Sequence, residues 1–125
     1  MVIEAWGADE ASCLTEALTA VIEGFAGSRD APCTETLPLA AGPGPAAELL
    51  VRLVEEVIGA LEVFSVVPVR VHLAETEDGG VAGDLEVVPA GRVRPARPGV
   101  RAVRPEGSSI ARDAAGWSCR LEIER

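Results

Sequence analysis

The chain has no tyrosine, no lysine and a single histidine, and its aromatic residues stop at two phenylalanines and two tryptophans. Each shortage excludes something. So few aromatic faces leave little surface on which nucleic-acid bases could stack. The one imidazole, His72, is predicted mid-strand between Val71 and Leu73, where a surface or structural role is expected over that of a catalytic base. The signatures GxSxG, HExxH, GxGxxG and the Walker loop are absent, and no Lys with Ser or Thr follows the glycines of AGPGP and GSRD to complete a phosphate cradle. Catalysis by this chain alone is not expected.

Cysteine is scarce as well. Cys13, Cys33 and Cys119 are odd in number and show no CxxC spacing, so neither a disulfide framework nor a zinc site is indicated, and a reducing cytoplasm is the expected setting. The opening MVIEAWG has no basic segment leading into an apolar stretch, unlike a signal peptide. The longest apolar segment, residues 45–64, is broken by Glu48, Arg52, Glu55 and Glu56, too many charges for a membrane span.

What is present fits one domain, residues 1–125, whose core is built from Val, Leu, Ile and Ala within a hydrophobic content of 48%. Charge is unevenly spread. Residues 1–66 hold eleven acids against Arg29 and Arg52, whereas residues 67–125 hold nine acids and nine arginines. That balance argues against a stand-alone DNA or RNA binder and suits a protein partner or a cation. Arg92, Arg94, Arg97, Arg101 and Arg104 form a run of cations without an acid, interleaved with Pro95 and Pro98. Two readings stay open for it, a solvated loop or a phosphate-facing patch.

Periodicity sets the elements. Val2 to Trp6 reads as a short strand stopped by Gly7, and Asp9 is placed to cap a helix carrying Leu14, Leu18, Val21, Ile22 and Phe25 on one stripe. Thr34 to Leu39 reads as a weak strand that Pro38 confines to an edge. Pro45 opens a second helix at its first position, with Leu49, Leu50, Leu53, Val54, Val57, Ile58 and Leu61 on one face. Val69, Val71 and Leu73 then alternate with Arg70, His72 and Ala74 up to a turn at Asp78, Gly79 and Gly80, and the return strand spans residues 81–88. Beyond an irregular stretch over residues 89–98, Val100 to Val103 reads as a short strand and Glu106 to Asp113 as a turn. The last strand, Trp117 to Glu124, puts Cys119, Leu121 and Ile123 on one face and Arg120, Glu122 and Glu124 on the other. The fold class is α+β, two amphipathic helices against a mainly antiparallel sheet system.

Carboxylates are the remaining chemistry. Glu122 and Glu124 share a strand face and could reach one hard cation through oxygen ligands, or could simply charge a solvent-facing edge against aggregation.

Four stretches resemble the archease family, in order and across nearly the whole chain: Ile3 to Gly7 with the helix that follows, Glu48 to Glu62, Val100 to Val103, and Gly116 to Arg125. The resemblance implies a non-catalytic protein cofactor of an RtcB-type RNA ligase, promoting its guanylylation and turnover in tRNA splicing or RNA repair. It also implies a divalent cation (Ca²⁺, Mg²⁺ or Mn²⁺) held by two aspartates, one from a His-Thr-Ala-Asp motif and one on the last strand. The second falls on Glu124, a Glu where the family has Asp, with Glu122 beside it. Arg101 falls on a family lysine, and Arg104, Pro105 and Glu106 replace the family's Thr-Tyr-His. The first aspartate has no counterpart, since the sequence begins at Met1 where that motif should end. Either an in-frame stretch of that kind lies upstream in the DNA, or the chain is a degenerate relative that works as a metal-free protein-interaction module. A small-molecule binding domain, with a pocket between helices and sheet, is a third expectation.

Overall fold

A carboxylate caps the first helix where the sequence predicts it: the Ser12 N–H donates to Asp9 Oδ1 at 2.7 Å, and that bond holds the Asp9 carboxyl below its ordinary range. The computed structural model describes residues 2–23, 35–89 and 102–124. Its elements run β1 (Val2–Gly7), α1 (Glu10–Glu23), β2 (Glu35–Ala41), α2 (Ala46–Phe64), β3 (Val66–Glu75), β4 (Val81–Pro89), β5 (Ala102–Asp113) and β6 (Gly116–Glu124). They form two three-stranded antiparallel sheets, β1-β6-β5 and β2-β4-β3, together with the two helices, an α+β architecture.

The helices join the sheets. α1 lies on β1 and β6 of one sheet and on β3 of the other, while α2 touches β5, β3 and β2, and the helices touch each other. Leu14, Leu18 and Val21 of α1 meet Leu50, Leu53, Val54 and Val57 of α2 in one cluster that also takes Leu85 and Val87 from β4 and Leu121 and Ile123 from β6. Each such leucine stabilises the fold by about 1.5–3 kcal/mol on burial. Among the described residues no polar or charged side chain is buried. Phe25 lies outside the described residues, as does the irregular stretch over 90–98.

Most expected elements stand close to their places. β2 is an edge strand, as Pro38 requires, although it runs to Ala41. Pro45 sits one place before the first helical residue and caps it through its carbonyl, which accepts from the Glu48 and Leu49 N–H groups at 3.0 and 3.1 Å. The β3–β4 turn is closed by Thr76 N–H donating to the Gly80 carbonyl at 2.9 Å, and by Asp78, whose carboxylate accepts from the Gly80 N–H.

One expectation fails. Glu106 to Asp113 is not a turn but the greater part of β5, a strand twelve residues long, and the real turn is Ala114–Ala115. The register of β5 against β6 slips between Arg104 and Ser109, so the extra residues Pro105 to Ser108 bulge out while the pairing resumes on the far side. Ser108 repairs the ladder: its hydroxyl donates to the Arg104 carbonyl at 2.8 Å and accepts from the Glu122 N–H at 3.3 Å. Asp113 then closes the true turn, its carboxylate accepting from the Ala115 N–H at 2.8 Å.

Candidate functional site

The period-two pattern of β6 turns Cys119, Leu121 and Ile123 into the core and leaves Glu122 half-buried and Glu124 exposed on the other face. The bulged β5 adds a cation to them. Arg104 is paired directly opposite Glu122, and Ala102 opposite Glu124, so the guanidinium lies across from one carboxylate and diagonal to the next. Its two terminal nitrogens stand 3.9 Å from Glu122 Oε1 and 3.9 Å from Glu124 Oε1. At that length the contacts are Coulombic attraction without hydrogen bonds.

The bulge also shapes the space for Glu122. A Cβ on Gly107 would overlap the Glu122 carboxylate and stand 2.8 Å from its Cβ, so only glycine lets that side chain lie across the bulge. Three of the four candidate site residues are thus brought together: Glu122, Glu124 and Arg104. Arg101 lies outside the described residues.

A hard cation asks for more oxygens than these two side chains supply by themselves. Calcium takes six to eight oxygens and magnesium near-ideal octahedral geometry. Here two carboxylates share a guanidinium, and no group of three or more His, Cys, Asp or Glu side chains able to hold a metal occurs among the described residues.

Two further features were not singled out as sites from the sequence. On the outer face of the other sheet, Glu86 receives two bases from β3, with Arg70 Nε at 3.2 Å and His72 Nε2 at 2.6 Å from the same carboxylate oxygen. His72 is the exposed strand histidine the sequence predicted. Its link to Glu86 depends on cross-strand register, with Arg70 opposite Glu86 and His72 opposite Asp84, which a single strand's pattern does not reveal. Second, an apolar groove of about 560 Å³ runs between the C-terminal half of α2 and sheet β2-β4-β3, lined by Leu37, Leu39, Leu85, Gly59, Val63 and Phe64 among others. It falls within the size range of small-molecule sites. Its lining comes from one helix and a sheet and not from both helices, unlike the pocket expected from the sequence. Val63 and Phe64 are 72% and 60% exposed, and Glu56, also on the lining, has its carboxyl pushed up by burial against the opposing pull of Arg52.

No family model matches the chain, and no curated protein matches it. No helix among the described residues is long and apolar enough to cross a membrane.

Proposed function

We propose that the chain is an archease-like, non-catalytic protein cofactor that activates an RtcB-type RNA ligase in tRNA splicing or RNA repair, working in the cytoplasm through protein contacts. The observation that carries this reading is where the four resembling stretches fall in the fold. Ile3 to Gly7 lies on β1, Gly116 to Glu124 is β6, Ala102 and Val103 begin β5, and these three strands are neighbours in one sheet; Glu48 to Glu62 lies within α2, which packs on β5. Segments far apart in sequence therefore form one continuous unit. The acidic surplus suits docking on a basic protein surface over direct binding of RNA.

Within this reading, the Arg104 guanidinium beside Glu122 and Glu124 favours the metal-free form, in which the carboxylates answer a partner's cations once Arg104 swings away. The competing form holds a divalent ion at Glu124 with a carboxylate supplied from upstream. Calorimetric titration with Ca²⁺ or Mn²⁺ separates them. Absence of heat supports the metal-free form, and a saturable curve abolished by Glu124→Ala rejects it.

The functional test is pull-down of the native-start protein with a search for an RtcB-type ligase among its partners, followed by mixing the two and measuring ligase guanylylation. Faster guanylylation is expected. No capture and no acceleration at micromolar protein would overturn the proposal.

A further inference from the structure

Two thiols from opposite ends of the chain meet in the core. Cys13 stands on the buried face of α1 with none of its surface exposed, and Cys119 on the buried face of β6 with 6% exposed. Ala5 on β1 organises the meeting: its carbonyl lies 3.7 Å from Cys13 Sγ, and it is paired directly opposite Cys119. Both thiols thus stand at the same residue, one reaching Ala5 from the helix and the other from the neighbouring strand. The close approach depends on a bare backbone at Gly7, where a Cβ would come within 2.8 Å of the Ser12 carbonyl carbon and 2.9 Å of Cys13 Cα. Neither sulfur belongs to the surfaces described above.

We propose that Cys13 and Cys119 are a covalent modification site, an oxidisable dithiol that closes to an intramolecular disulfide tying α1 to β6. Both S–H bonds are lost and one S–S bond forms, while two protons and two electrons pass to the oxidant. With a peroxide in the cell, hydrogen peroxide accepts them and leaves as two waters. The attacking species is a thiolate. Burial pushes the Cys13 thiol up to about 12 and raises Cys119 as well, so the closed core holds almost none. Oxidation therefore runs through brief openings in which α1 lifts from its sheet. The pair ignores passing oxidants and records sustained oxidation. Once formed, the bond closes a loop spanning most of the chain, which constrains the unfolded state and stabilises the fold. This inference is independent of the proposed role at a ligase.

The test uses the full chain carrying Cys33→Ser, so that no third thiol can exchange. The probe is diamide, whose N=N bond takes up the two hydrogens and becomes a hydrazine. The intact mass is expected to fall by two hydrogens, faster in mild urea than in buffer, with peptide mapping joining the α1 peptide to the β6 peptide. The thermal midpoint should rise by about 10 °C on oxidation and return with dithiothreitol. The shift should be absent from Cys119→Ala, and equally from Cys13→Ala should the first variant fold poorly. Two results overturn the proposal: both thiols remaining alkylatable after prolonged oxidation, or a disulfide that forms and lowers the midpoint.

Discussion

The outer faces of the two sheets carry mirror-image ionic clusters. On β5 and β6 one cation, Arg104, serves two acids at 3.9 Å each; on β3 and β4 one acid, Glu86, serves two bases at 3.2 and 2.6 Å. The tight cluster lies just past an irregularity between Pro68 and Arg70, beyond which the register puts Arg70 squarely opposite Glu86. The loose one lies at the edge of a larger irregularity, where Pro105 to Ser108 stand against Leu121 alone. The carboxylates follow the same division, with Glu86 19% exposed and Glu122 and Glu124 38% and 48%, whereas His72 of the tight cluster is itself 68% exposed. The larger bulge thus goes with charges left apart and carboxylates within reach, which suits a surface that meets another charged molecule, whereas the β3–β4 hairpin uses its carboxylate on its own bases.

The comparison has meaning only if the sheets share one core, and the largest expected effect tests that. Leu121 on β6 and Leu85 on β4, the central strands, are 0% and 1% exposed. Leu→Ala at either should cost about 2–5 kcal/mol. Both tryptophans, Trp6 and Trp117, lie in sheet β1-β6-β5. Urea unfolding of Leu85→Ala followed by tryptophan fluorescence should therefore show a lowered midpoint although the substitution is in the other sheet. An unchanged fluorescence midpoint would mean two separate cores.

Next in size is the bulge itself. Gly107→Ala sets a methyl against Glu122, whose backbone is held by Ser108, so it should destabilise by about 1–3 kcal/mol in urea unfolding. The pair Gly107→Ala with Glu122→Ala should recover much of that loss, since the second change removes the obstructing side chain. Failure to recover would place the cost in the β5 backbone.

Smaller still are the ion pairs. Double-mutant cycles should give a coupling of about 1 kcal/mol for Arg70 with Glu86 and under about 0.5 kcal/mol for Arg104 with Glu122, the first falling less as salt is raised. Equal couplings would erase the distinction between a closed and an open cluster.

How much of this the sequence discloses depends on whether the signal is local. The α2 stripe from Leu49 to Ile58, the Asp9 cap and the alternation from Cys119 to Ile123 are properties of one segment, and each predicted element is there. The β5 bulge is a property of two strands. Pro105, Gly107 and the serines read as a turn because those residue types favour one, and only the pairing with β6 on either side of the bulge, at Ala102 to Arg104 and Ser109 to Asp113, draws the segment into one strand. For the same reason Glu122 and Glu124 are legible as neighbours on one face, while Arg104 as their partner is not. The convergence of Cys13 and Cys119 on Ala5 is likewise invisible, since it brings a helix near one end of the chain to a strand near the other.

The smallest expected effect concerns another carboxylate, Glu56 on the α2 groove, where burial raises the pKa and Arg52, one helical turn before it, lowers it by a lesser amount. The folded state then holds the proton more tightly than the unfolded one. Its contribution is most favourable below the ordinary carboxylate value of 4.5 and declines as pH rises through the raised value, above which the fold carries a charge it would rather hold neutral. Glu56→Gln should therefore stabilise the protein at pH 7 by a few tenths of a kcal/mol, the size allowed once solvent screening of a surface group is counted. The gain should vanish below pH 4.5, where wild type is already neutral. Thermal midpoints of the two proteins at pH 7 and pH 4 check this. A variant less stable than wild type at pH 7 would show that attraction to Arg52 outweighs burial, and the groove would then be wetter than its apolar lining implies.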